Sequence, residues 1–71
     1  MPAVGFLTVD TRPRGHVYVD GHLVGRSPLH RHALAPGTYR VTVENQALAT
    51  RKERMLEVRA GEEVIYDVEL F

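Results

Sequence analysis

The sequence predicts an all-β fold, a small β-sandwich of about six to seven short, mainly antiparallel strands. Three observations predict it. Apolar side chains recur at every second residue over most of the chain, the period of a half-buried strand. The glycines are scattered between these runs, one to a turn, rather than clustered in one loop. No stretch reads convincingly as a helix. Each alternating strand has one apolar face, so two sheets must pack these faces together.

Leu7 and Val9 alternate with Thr8 and Asp10, and Val17 and Val19 with His16, Tyr18 and Asp20. Asp20-Gly21 then lies between two apolar runs, a hairpin signal because glycine accepts positive φ without steric cost. A short strand at 22–24 follows, broken by Gly25 and by Ser27-Pro28. Pro36-Gly37 predicts a tight turn before the strand carrying Tyr39, Val41 and Val43. Residues 46–54 lean helical by intrinsic preference. The spacing instead favours a wide loop at 45–49 and a long strand from about Thr50 to Ala60, with Leu56, Val58 and Ala60 inward. Ala60-Gly61-Glu62 forms the next turn. Val64, Tyr66, Val68 and Leu70 face the core from the last strand.

Residues 1–71 are expected to form one module, too short for two domains. There is no cysteine, so neither a disulfide nor a thiolate metal site can support the small core. Nine basic residues balance nine acidic ones, which argues against a nucleic-acid partner. No apolar run is long enough to insert into a membrane, and no signal peptide is expected at the N-terminus. The tight boundaries lead us to expect a module of a longer protein. Charge is uneven along the chain: residues 1–52 hold seven of the nine cations, and residues 53–71 hold six of the nine acids. Either the surface is bipolar and docks a charged partner, or neighbouring strands carry complementary charges; the second reading is favoured.

His16, His22, His30 and His32 form the candidate metal set. His30 and His32, two apart, would share a face on a strand, and His16 and His22 flank the Asp20-Gly21 hairpin. A metal- or small-ligand-sensing domain is therefore the alternative function, although no cofactor is expected. Ser27, the only serine, lacks the strained glycine-flanked elbow of a nucleophile and reads as a turn hydroxyl bonding local backbone. Asp20 reads as a turn residue rather than a general base. Arg51-Lys52-Glu53-Arg54 reads as a solvated surface. Tyr18 has the opposite parity to Val17 and Val19, so an outward Tyr18 with Arg14, His16 and Arg26 is the candidate contact surface, against ordinary cross-strand packing of Tyr18, which is the favoured reading.

The order of these motifs resembles the PEGA family over nearly the whole chain. Pro13-Arg14-Gly15-His16 stands at the naming Pro-Glu-Gly-Ala motif, and Val17 to Gly21 follow as alternating valines and an Asp-Gly turn. Gly25-Arg26-Ser27-Pro28 matches the family's Gly-x-Thr-Pro segment. Pro36-Gly37 with Tyr39 to Val43, then Ala60-Gly61-Glu62, match its Pro-Gly turn, Val-x-Val strand and Ala-Gly-Glu turn. Arg14, His16 and Ser27 depart from the motif. Gln46-Ala47-Leu48 stands where the family usually has glycine and an aromatic, which makes Leu48 a candidate apolar plug. The resemblance implies a β-sandwich module with no catalytic residues, found in multi-domain bacterial proteins, often beside kinase domains and outside the cytoplasmic membrane. It implies a structural role or a protein or cell-surface partner. Open sheet edges add self-association as a further expectation.

Overall fold

A computed structural model describes residues 3–70; Met1, Pro2 and Phe71, counted in the expected module, lie outside the described residues. The alternating runs form seven strands: β1 (Gly5–Arg12), β2 (His16–Val19), β3 (His22–Arg26), β4 (Leu29–Leu34), β5 (Gly37–Asn45), β6 (Thr50–Val58) and β7 (Glu63–Glu69). One sheet has the order β4-β1-β7 and the other β3-β2-β5-β6. All pairings are antiparallel except β1 with β7. Between the sheets lie Leu7, Val9, Val17, Val19, Val41, Val43, Tyr66 and Leu70, all buried and all on the parity expected to face inward.

Prolines mark three of the four places where the chain changes sheet. Pro13 lies between β1 and β2, Pro28 between β3 and β4, and Pro36 between β4 and β5. Proline has no N–H to give a ladder, so it suits a crossing better than a strand interior. The hairpins within one sheet contain none. Asp20 and Gly21 both take positive φ (50° and 84°), as a type I′ turn requires. Gly37 has φ of 159°, nearly extended, so it opens β5 opposite Val58 instead of closing a tight turn. Residues 46–49 form a turn and β6 begins at Thr50. Helical preference loses here because four residues are too few to nucleate a helix against two long paired strands. Leu48 is 45% exposed in that turn, so it plugs nothing.

The last crossing sets the parallel pair. Glu62 N–H donates to Arg59 O (3.1 Å), with Gly61 at φ 75°. Gly61 N–H donates to Val4 O (2.8 Å), and Phe6 N–H donates to Glu62 O (2.9 Å). β7 therefore starts beside the start of β1 and runs with it.

One buried polar cluster ties two crossings together. Ser27 Oγ accepts from Gly15 N–H (2.9 Å) and shares a hydrogen bond with Thr11 Oγ1. Ser27 N–H donates to Gly15 O (2.8 Å), and the Thr11 hydroxyl also donates to Pro13 O (2.9 Å). Ser27 is thus a long-range staple and not the local turn hydroxyl expected. It joins the Pro13–Gly15 and Gly25–Pro28 segments.

The edges differ. β4 carries a bulge: Leu7 opposes His32 but Val9 opposes Leu29, and Arg31 takes φ of 48°. This corrects the shared face expected for His30 and His32. The extra residue flips the parity, leaving His30 exposed and His32 half-buried opposite Leu7. β3 has a similar shift between its pairings with Val17 and Tyr18. On β6, Lys52 and Arg54 oppose the inward Val43 and Val41, so their charges point to the inner side of an edge strand.

Ion pairs join the basic and acidic parts of the chain: Arg31 with Glu63 (3.6 Å) and Arg40 with Glu53 (3.8 Å). Only Arg40 and Glu53 stand on neighbouring strands, β5 and β6, so complementary neighbours account for a small part of the uneven charge; Arg31 on β4 reaches Glu63 on β7 across β1. These pairs are exposed and each is worth only about 0–1 kcal/mol.

Burial pushes the Tyr66 phenol above its usual pKa of 10.0, and the nearby Arg54 charge partly opposes this. The folded state therefore holds the proton more tightly than the unfolded chain. Stability from this group is complete below the unfolded pKa and is lost as pH rises through the higher folded value. Urea midpoints above pH 10 are expected to fall, with part of that fall absent in Tyr66→Phe.

Candidate functional site

The outer face of the four-stranded sheet gathers the residues that the core does not use. Register places them in rows across the strands. Arg26, His16, Glu44 and Arg51 form one row across β3, β2, β5 and β6. The next row is Leu23, Tyr18, Thr42 and Glu53. Arg40 and Met55 continue beyond it on β5 and β6. Of the four residues expected at the contact surface, His16, Tyr18 and Arg26 stand together on this face. Arg14 lies at its rim, with its carbonyl accepting a hydrogen bond from Asn45 Nδ2 (2.8 Å).

The face is uneven. A cleft of about 210 Å³ is lined by Arg14, His16, Arg26, Glu44 and the start of the β5–β6 turn. A second, of about 260 Å³, is lined by Tyr18, Gly21, Arg40, Thr42, Glu44 and Arg51. A third, of about 330 Å³, lies between Glu44, Arg51 and residues 45–50. Glu44 lines all three. It makes no ion pair among the described residues, and neither do Arg14 and Arg26, whereas Arg40 and Arg51 share Glu53. Apolar groups complete the surface: Leu23 is 59% exposed directly opposite Tyr18, and Met55 is 60% exposed.

Parity in the sequence identifies Tyr18 as outward. It does not identify Leu23, Glu44, Arg51 or Met55 as its neighbours, because that depends on cross-strand register. The signal for Glu44 was available in principle, since it shares the outward parity of Arg40 and Thr42.

Other candidates are dispersed. Asp20 is fixed at its hairpin, its Oδ1 accepting from Arg40 N–H (2.8 Å). Its backbone N–H donates to Arg40 O (2.9 Å). His16 and His22 do not meet across the hairpin: His16 opposes Arg26 at one end and His22 opposes Val19 at the other. With His30 and His32 on the other sheet, the four histidines spread over separate faces. Among the described residues, no group of three or more metal-ligating side chains converges. Ser27 is buried and hydrogen-bonded to Gly15 and Thr11, with no histidine among those partners. The arrangement of the outer face is suited to recognition by apolar contact and by charge.

The family model of the PEGA domain matches residues 4–70 of the chain. No curated protein and no protein of solved structure matches it.

Proposed function

The chain belongs to the PEGA domain family, and from that premise we propose that it is a non-catalytic protein-interaction module of a larger bacterial protein. We place that protein at the cell envelope, on the extracytoplasmic side, in the setting the family resemblance implies, with a kinase domain as one natural neighbour. The partner is a protein or cell-surface component, and we commit to a protein with an acidic segment. It docks on the outer face of the β3-β2-β5-β6 sheet.

One observation carries this reading. Tyr18, Leu23 and Met55 give the face an apolar surface, and the unpaired Arg14 and Arg26 stand at its side. Tyrosine, methionine and arginine are the residue types enriched in interface centres. Arg14 and Arg26 would gain a bidentate carboxylate partner that the module itself does not supply.

The test is a photo-crosslinking side chain at position 23 of the full-length protein in its own cells. The expected result is a discrete adduct with one protein, and none from the same side chain at position 60 on the exposed Ala60-Gly61 turn. No adduct from position 23, or equal adducts from both positions, overturns the reading.

A further inference from the structure

Three of the four sheet edges carry a feature that discourages strand addition. β3 and β4 are bulged, and β6 turns Lys52 and Arg54 toward the inner side. β7 has none of these. Its register with β1 is unbroken from Glu63 to Glu69, and it contains no proline or lysine.

The hydrogen bonds at the two ends of this parallel ladder fix which β7 groups are free. Phe6 N–H donates to Glu62 O, and Leu70 N–H donates to Arg12 O (2.8 Å). Even-numbered residues of β7 therefore bond to β1. The N–H and C=O groups of Glu63, Ile65, Asp67 and Glu69 point to the open edge. The side chains of the same four residues lie on the outer face, opposite in parity to the core residues Tyr66 and Leu70. Ile65 is 65% exposed.

From this geometry we propose that the β7 edge receives an extended, basic segment of a protein partner as a fourth strand on the β4-β1-β7 sheet. The charge selects the occupant. Glu63 is held by Arg31 and Thr8, but Asp67 and Glu69 make no ion pair among the described residues. On β1, Asp10 stands beside Asp67 and Arg12 beside Glu69. A second copy paired antiparallel about Tyr66 would set Glu63 against Glu69 and Ile65 against Asp67, so like charges oppose self-pairing. An incoming strand with lysine or arginine at alternate positions matches the carboxylates. Its intervening apolar residues cover Val64 and Val68, which β7 leaves half-buried.

This edge lies on the sheet opposite the Tyr18 face, so it stands or falls independently of that interface. The test uses the 71-residue chain and two short synthetic peptides, one alternating lysine with valine and the other glutamate with valine. The lysine peptide is expected to slow hydrogen exchange at the Ile65 and Asp67 amides at least about tenfold, with binding that weakens as salt rises. Ile65→Pro removes an outward N–H without touching the β1 ladder and is expected to abolish binding. The double variant Asp67→Lys/Glu69→Lys removes the charge match while keeping every backbone group, and is expected to weaken binding at least about tenfold. Equal binding of the glutamate peptide overturns the proposal. So does binding that survives the double variant, or self-association of the free chain that Ile65→Pro removes.

Discussion

Alanine at Gly5 or at Gly15 is expected to remove about half or more of the stability of the fold. A Cβ at Gly5 would stand 2.3 Å from Arg59 O and 2.5 Å from a Val58 methyl. At Gly15 it would meet Glu44 O at 2.6 Å and Leu70 Cδ1 at 3.0 Å. In both cases the nearest atom is a backbone carbonyl, which cannot rotate away as a side-chain end can. Overpacking a core costs about 1–3 kcal/mol and occasionally more, and these two sites belong at the upper end. A fold of this size has on the order of 5 kcal/mol in total. A side chain at Gly5 would push β1 from the end of β6 in the other sheet, and one at Gly15 would push the β1–β2 crossing from β5 and from Leu70 in the core. Urea unfolding followed by circular dichroism gives the result directly. A midpoint equal to that of the unsubstituted chain would refute the close approach.

Ser27→Ala is expected to destabilise the fold by about 2–3 kcal/mol, because it orphans groups that remain buried. The Gly15 N–H loses its acceptor, and the Thr11 hydroxyl keeps only Pro13 O. The coupling to Thr11 is the more specific result. Thr11→Val removes the other hydroxyl of the shared hydrogen bond, so the double variant is expected to cost less than the two single changes added together. Strict additivity in a urea series would mean that the two hydroxyls do not act as a unit. A serine acting only in a local turn would give a loss of a few tenths of a kcal/mol at most.

The difference between these sites and the core shows what the sequence could disclose. Alternation placed Leu7, Val9, Val17, Val41 and Val43 inward, because burial on one face of a strand writes a period of two directly into the chain. Asp20-Gly21 was equally plain, since few residue pairs accept two consecutive positive φ values. Gly5 carries no such signal: its need for a missing side chain comes from Arg59, more than fifty positions away. The parallel pairing of β1 with β7 depends on the last crossing and the bulge at Arg31 on pairing with β1, so neither is written into a local pattern, and the bulge undoes the face shared by His30 and His32. The candidate site was legible in part. Parity turned His16 and Tyr18 outward, but only register brought Glu44, Arg51 and Leu23 beside them.

The same distinction separates residues that hold the fold from residues of the proposed contact surface. Gly15 and Ser27 lie in the motif segments and are buried or closely packed. Arg14, Arg26 and Tyr18 belong to the same segments but project from the sheet or its rim. Their substitution is expected to change binding and leave stability nearly untouched.

The measurement that tests this most directly is Arg26→Glu in the full-length protein carrying the crosslinking side chain at position 23. Docking of an acidic partner on the Tyr18 face requires the adduct to fall at least about tenfold, since a carboxylate would now face that partner. The melting temperature should stay within about 2 °C of the unsubstituted protein, as expected for an exposed substitution. An undiminished adduct with an unchanged melting temperature would contradict docking on the Tyr18 face.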